Sequence, residues 1–356
     1  MWEIDCTGQG WQEEVEHHAM ATMADVAARA GVSTATVSRA LSGDSTKVSP
    51  PVLQRIIDAA EELEYIPNHL ARNMRSGSAR ILGLIISDIS NPFFTAAARG
   101  VEDVAQRHGY SLVLSNTDEN PDRESASLSV MAAERAAGVI IATTNENGSA
   151  LRRFQDMGIA IVAIDRHIED LSTDSVVVDN ESASFEAVTH LVRLGHRRIA
   201  IVGGPSDADT ARERLHGYER AMRGARIGIA PELVRHGDFR EAAGLTMARA
   251  LLDLPEPPSA IFAVNNLTTI GVLVALRERG VGIPADVSVV GFDDIPTAEI
   301  LDPPLTVVQQ PTYRVGARAA DLLLRRLREP SATIREVVLE ARLVIRGSTG
   351  PVRGAA

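Results

Sequence analysis

A chain of 356 residues, 45% hydrophobic and 23% charged, is long enough for two or three domains with sizeable cores. Its formal net charge of −11 excludes nucleic-acid binding by the surface at large, so any such contact has to come from a local basic patch. One cysteine, Cys6, excludes an internal disulfide framework and a thiolate metal site, and no apolar run reaches the roughly 18 residues that span a bilayer.

Residues 1–20 are acidic, lack periodicity and carry neither the basic segment nor the apolar stretch of a secretory signal. They are expected to be a disordered extension, with translation starting at Met1, Met20 or Met23 and the protein residing in the cytoplasm. Residues 21–66 read differently. In "TMADVAARAGVS", Thr22 is placed to cap a helix bearing Val26, Ala27 and Ala30 at helical spacing. Gly31 supplies the turn, and Ser33 caps a second helix, "TATVSRAL". Ala27, Gly31 and Val37 are the small residue, turn and buried branched residue that a helix-turn-helix needs. A third helix after "VSPP" carries Leu53, Ile56, Ile57, Ala60 and Leu63 on one face. Any small three-helix bundle can imitate this pattern. The second helix nevertheless begins with short side chains, Thr34, Ala35, Thr36 and Ser38, which allow its backbone close to base edges in a major groove. Arg39 can pair bidentately with a guanine or meet a phosphate.

Residues 67–79, within "YIPNHLARNMRSGSAR", form a short polar linker in which Met74 stands between Arg72 and Arg75. From Arg80 on, apolar runs alternate with amphipathic helical stretches. "RILGLIIS", "GYSLVLSN", "GVIIATT", "AIVAIDR" and "SVVVD" read as one set of strands; "RRIAIVGG", "SAIFAVNN", "DVSVVGFDD" and "LTVVQQ" read as a second. Continuous Val/Ile runs separated by helices predict an α/β body of two doubly wound parallel sheets, with ligands bound outside the carboxyl ends of the strands. Asn91 and Pro92 are placed to start a helix that leaves Phe93 and Phe94 near a strand end. Asp165, Arg166 and Asp293 are strand-end charges suited to ligand hydroxyls, although helix capping explains such carboxylates equally well.

The ordered motifs "MADVAARAGVSTATVSRAL", "VLQRIIDAAEELEYIPNHLARNMRSG", "ILGLIISDISNPFF", "LGHRRIAIVGG", "RLHGYERAM", "IPADVSVVGFDDI" and "PPLTVVQQP" resemble the LacI family of bacterial transcription regulators, from Thr22 to about Gly350. The resemblance implies a helix-turn-helix head (residues 21–66), a hinge helix (67–79) and a periplasmic-binding-protein-like body (80–347). Its first lobe is expected to comprise 80–179 and 311–330, its second 180–310 and 331–347, with 348–356 a tail. It further implies that the hinge segment folds only on DNA, where Asn68, Ala71 and Arg75 meet the minor groove and Met74 wedges into a central base step. The family uses leucine there. A helix of about eight residues is too short to hold itself together in water, which fits folding on DNA. By the same resemblance Arg214 grips the ligand, with Arg212 the alternative, and Phe239 and Asn265 line the pocket. Asn266 stands where the family often has aspartate.

Phe, Asp, Asn and Arg together suit a polyhydroxylated ring, so the expected effector is a sugar or polyol; a purine or nucleoside stays open. An enzyme is disfavoured: the sequence contains no GxxxxGK[ST], HExxH or GxSxG motif, and no metal or cofactor is expected. A transporter's sugar-binding protein would share the body but not the head, and an architectural DNA protein would need neither the lobes nor the acidic charge. The expected partners are therefore a palindromic double-stranded operator, a small effector and a second copy of the chain in a homodimer, acting as a repressor without a membrane.

Overall fold

The computed structural model describes residues 21–41, 48–65, 80–144, 148–168 and 171–352. Two compact units divide the chain, residues 1–77 and 78–356. The extension 1–20 and the linker positions Asn68, Ala71, Met74 and Arg75 lie outside the described residues.

The head has three helices, α1 (Met23–Ala30), α2 (Thr34–Leu41) and α3 (Pro50–Glu62). A reciprocal cap starts α1: the Thr22 hydroxyl accepts from the Asp25 amide, and the Asp25 carboxylate accepts the Thr22 amide at 2.8 Å. The Thr22 hydroxyl also donates to the Asp25 carboxylate at 2.6 Å, and this bond together with the one from the Thr22 amide holds the Asp25 carboxyl below its usual range. Gly31, at φ 66°, ends the helix in a left-handed turn that a β-carbon would resist. The Ser33 hydroxyl then accepts the Thr36 amide at 3.2 Å and starts α2. Val26, Ala27, Val37 and Ile56 are fully or almost fully buried where the helices cross. On α3, Ala59 is buried beside Ile56, whereas Ile57, expected on the apolar face, stays partly exposed.

In the body, β1 (Ile81–Ile86), α4 (Pro92–Arg107), β2 (Ser111–Asn116), α5 (Pro121–Ala133), β3 (Gly138–Ile141), α6 (Ser149–Asp156), β4 (Ala160–Ile164) and β5 (Asp174–Val178) build the first lobe. The chain then crosses into α7 (Asn180–Arg193), β6 (Ile199–Val202), α8 (Asp209–Gly224), β7 (Val234–Arg235), α9 (Glu241–Leu252), β8 (Ala260–Ala263), α10 (Asn266–Glu278), β9 (Ser288–Phe292) and β10 (Thr306–Gln309). It returns to the first lobe as α11 (Thr312–Arg328) and β11 (Glu336–Leu339), then passes back to the second as β12 (Arg342–Val344). The first sheet runs β11-β5-β4-β3-β1-β2, all parallel; the second runs β12-β10-β9-β8-β6-β7, with only β12 antiparallel. Each sheet reverses its strand order at one point, between β1 and β3 and between β6 and β8, and the crevices there open at the strands' carboxyl ends.

The lobes depart from the sequence expectation in two places. Residues 336–339, expected in the second lobe, pair with β5 of the first, Glu336 opposite Ser175 through Leu339 opposite Val178. The return to the second lobe therefore falls at 340–341. "EVVL" and "RLV" are two short strands with no helix between them, and which sheet each joins is decided by its partner, not by its own pattern. Residues 348–352 are not a tail. Ser348 is 1% exposed, its hydroxyl donates to Val289 O at 2.7 Å, and the Val352 amide bonds Leu194 O. Strands β7, β11 and β12 lie outside the nine that the sequence predicts; β7 has two residues and leaves no periodicity to read.

Close helix crossings hold each lobe. Gly316 of α11 lies against α4 so tightly that a β-carbon would stand 1.8 Å from Ala97 O.

Candidate functional site

The two crevices face each other across a cavity of about 40 Å³. All eight residues nominated from the sequence line it: Phe93, Phe94, Asp165, Arg166, Arg214, Phe239, Asn265 and Asp293. Arg212, the alternative to Arg214, lies instead beside Gly203 and Leu215 in a separate recess.

The first lobe contributes a wall from α4. The Asn91 side chain accepts the Phe93 amide at 2.8 Å, which starts the helix and fixes both phenylalanines; their rings meet edge to face at 5.0 Å. Phe93 and Phe94 are each 4% exposed, so they belong to the core and to the cavity wall at once.

Asp165 follows β4 at φ 68° and Asp293 follows β9 at φ 74°. Burial pushes the Asp165 carboxyl up to about 6, although Arg166 and Arg214 pull it down. Burial also raises Asp293, against the pull of Arg214 and the bond donated by the Gln310 amide nitrogen. Arg214 enters from α8. Its Nε donates to Asn180 Oδ1 at 2.9 Å, Nη1 donates to Val264 O at 2.6 Å, and the guanidinium lies 3.9 Å from the Phe292 ring centroid. Burial lowers its pKa, and Asp293 and Asp165 resist that lowering. Arg214 is thus held rigidly between two acidic strand ends.

Two nominated residues act by positioning. Arg166 forms a fork onto Glu119, Nη1 to Oε2 at 2.7 Å and Nη2 to Oε1 at 2.6 Å, and also donates to Thr143 O. Burial works against its charge, but the bonds to Glu119 outweigh it and raise its pKa. Asn265 caps α10, accepting from the Thr268 amide, and its Nδ2 donates to Phe239 O at 2.8 Å. That bond secures Phe239 at φ 65°. Gly204 makes room for its ring, since a β-carbon there would stand 2.2 Å from Phe239 Cε1. The turn at Gly203, Gly204 and Pro205 is therefore shaped around an aromatic wall. Asn266 is fully buried and donates from Nδ2 to Asn91 Oδ1 at 2.8 Å, joining the lobes.

Asp88, Glu119, Thr210, Asp238, Arg240 and Gln310 also line the cavity and were not nominated. Glu119 carried a signal only as an unusual backbone: it sits at φ 59°, and four of the eight non-glycine residues with positive φ among the described residues line this cavity. Gln310 Oε1 and Arg166 Nε are buried without a hydrogen-bond partner beside it. Buried polar atoms of this kind are what a hydroxylated ligand satisfies.

In the head, Thr22, Ser33, Thr34, Ala35 and Arg39 are exposed, and Thr36 and Ser38 partly so. Thr22 and Ser33 are caps that orient the helices, whereas Thr34 and Ala35 stand at the start of α2. Among the described residues no helix is long and apolar enough to cross a membrane, and no His, Cys, Asp and Glu cluster could hold a metal ion.

Comparison with known proteins agrees with this division. Residues 22–68 match the family described as bacterial regulatory proteins, lacI family, and residues 188–349 match the periplasmic binding protein-like domain. The chain is 34% identical over 329 residues to the HTH-type transcriptional repressor CytR of Escherichia coli (strain K12), covering 92% of this chain and 96% of that one. A solved transcriptional regulator CelR-cellobiose complex is similar with a TM-score of 0.70 and 32% identity, covering 92% of this chain and 99% of that one. The lac repressor dimer bound to operator and the anti-inducer ONPF is similar with a TM-score of 0.80 and 26% identity, covering 93% and 99%. Head, cavity and relatives agree on a DNA-binding regulator whose effector domain is modulated by a small ligand, and not on an enzyme. The chain belongs to the lacI family of bacterial transcription regulators.

Proposed function

We propose that this protein is a repressor that binds a palindromic operator as a homodimer and responds to a neutral sugar or polyol held between its lobes. The observation that carries the reading is the pair of buried, left-handed carboxylates, Asp165 and Asp293, set about Arg214. Carboxylates accept from vicinal hydroxyls, the guanidinium donates to them, and Phe93, Phe94 and Phe239 offer faces to the C–H side of a ring. The lining carries five carboxylates (Asp88, Glu119, Asp165, Asp238, Asp293) against three guanidiniums (Arg166, Arg214, Arg240). An acidic balance disfavours phosphorylated or carboxylated ligands. The similar regulator solved with cellobiose supports the sugar class.

On DNA, Thr34, Ala35, Thr36, Ser38 and Arg39 read the major groove while Thr22 and Ser33 meet the backbone. Asn68, Ala71, Met74 and Arg75 act at the central minor groove. Met74→Ala weakens operator binding and reduces the central bend, measured by the mobility of permuted fragments.

The test is a thermal-shift panel of pentoses, hexoses, polyols, sugar phosphates, purines and nucleosides on the purified chain, then operator binding by fluorescence anisotropy. A ligand at 100 times its Kd adds about 2.7 kcal/mol to the folded state. A shift from neutral sugars or polyols that also changes operator affinity supports the proposal. A shift confined to purines or nucleosides overturns the sugar class.

A further inference from the structure

Contacts between the lobes ring the cavity. Asn266 Nδ2 donates to Asn91 Oδ1 at 2.8 Å, and Arg240 Nη2 reaches Asp118 O at 3.4 Å. A third involves a titratable pair. His167, next to Arg166 beyond β4, donates its amide to Asp209 Oδ2 at 2.8 Å, and its Nδ1 lies 3.4 Å from the same oxygen. Asp209 opens α8 in the other lobe, beside Thr210 of the cavity lining, and its Oδ1 accepts the Thr210 amide at 2.7 Å. One carboxylate thus serves its own helix start with one oxygen and the opposite lobe with the other.

We propose that His167 and Asp209 form a protonation-dependent latch that holds the lobes closed over the cavity, His167 acting as a positioning residue and not as a ligand contact. His167 does not line the cavity, yet it borders Arg166, which does. Among the described residues, the charged groups facing the imidazole are Asp209 and Glu213 of α8 and Glu336 of β11, whose Oε1 is 3.7 Å from Nε2. On its own segment the neighbouring Arg166 is taken up by Glu119. Asn180 Nδ2 holds Glu213 at 2.9 Å, so α8 presents a fixed acidic face. The Asp209 hydrogen bond, opposed by partial burial and helped by the other carboxylates, raises the imidazole to about 8.

When the lobes part, the ring loses Asp209 and Glu213 and returns toward its ordinary value of about 6.5. The closed form therefore holds the proton more tightly than the open form. Its advantage is complete below about pH 6.5 and is lost as pH rises through about 8. A cavity of about 40 Å³ admits a few waters, so a ring-sized effector enters by way of the open form, and the latch sets how readily that form is reached.

The test needs neither effector nor DNA, so its outcome is independent of the proposed ligand class. In the full chain carrying Cys6→Ser, spin labels are placed through Arg318→Cys on α11 and Arg223→Cys on α8, whose side chains are 60% and 70% exposed. Dipolar distance distributions then give the ratio of closed to open lobes. Between pH 6.5 and 9 the ratio is expected to fall roughly fivefold, a value kept modest because the imidazole is partly exposed. His167→Gln is expected to lower the ratio and remove its pH dependence, and Asp209→Asn to lower it and weaken that dependence, Glu213 remaining. Asn266→Ala is expected to lower it at every pH while keeping the slope. A ratio constant with pH in the parent, or an unchanged slope in His167→Gln, overturns the latch.

Discussion

Asp165 and Asp293 occupy matching positions in the two lobes. Each follows the third strand from its sheet's carboxy-terminal edge strand, at φ 68° and 74°, and each directs its amide to the next strand, to Val176 O at 3.1 Å and Val308 O at 2.9 Å. The left-handed turn swings each carboxylate off the sheet and toward Arg214. Asparagine tolerates this backbone, so Asp293→Asn removes the charge without adding strain. Its expected effect is loss of the effector response, with operator binding of the effector-free protein unchanged. Anisotropy titrations with and without an active compound from the ligand panel measure both.

Burial of the Asp165 charge carries a stability cost. Its folded carboxyl titrates near 6 against an ordinary value near 3.8, so between these values the folded state binds more protons and stability falls as pH rises. Asp165→Asn should stabilise the effector-free protein by about 1–2 kcal/mol at pH 7. The gap should close only below about pH 3.8, where the carboxyl is protonated in the folded and the unfolded chain alike. Urea titrations at a series of pH values provide the comparison.

Gly204→Ala places a methyl group 2.2 Å from the Phe239 ring, which Asn265 holds by its backbone. The ring has to move out of the cavity wall. The expected cost is about 1–3 kcal/mol in stability. Effector affinity should drop about tenfold, some 1.4 kcal/mol, by isothermal titration.

His196 pins the end of the chain to the second lobe. It is 2% exposed, its Nδ1 meets Ser259 Oγ at 2.9 Å, and its Nε2 meets Gly350 O and Ser288 Oγ, both at 3.0 Å. Burial holds its pKa below the ordinary value, so the folded state favours the neutral ring. That contribution is present above about pH 6.5 and is lost as pH falls below it. His196→Ala should cost about 2–4 kcal/mol, because three polar partners lose their bonds, and should flatten stability between pH 7 and 5.

Arg39 tests the head. Arg39→Ala should cost about 1–3 kcal/mol of operator affinity and relax preference at one base in each half-site. An equal loss on every sequence would make it a phosphate contact. Binding to a library of single-base operator variants separates the two.

Much of this protein follows from local pattern. The caps at Thr22, Ser33 and Asn91, the turn at Gly31 and nine of the strands rest on interactions within a few residues or on continuous apolar runs, and these are written in the chain itself. All eight nominated lining residues also converge, because strand-end positions in doubly wound sheets converge for topological reasons. The roles of those residues depended on partners distant in sequence. Arg166 is engaged by Glu119, 47 residues away, and Asn265 serves Phe239, 26 residues away. Strand β11 joins the first sheet through β5, and residues 348–352 are stitched into the second lobe by Val289 and Leu194. Neither choice leaves a periodic trace, since a short edge strand or an irregular segment takes its place from the hydrogen bonds that neighbours leave open. The contact between His167 and Asp209 is of the same kind. Each residue alone resembles an ordinary surface charge, and only the meeting of the two lobes brings them together.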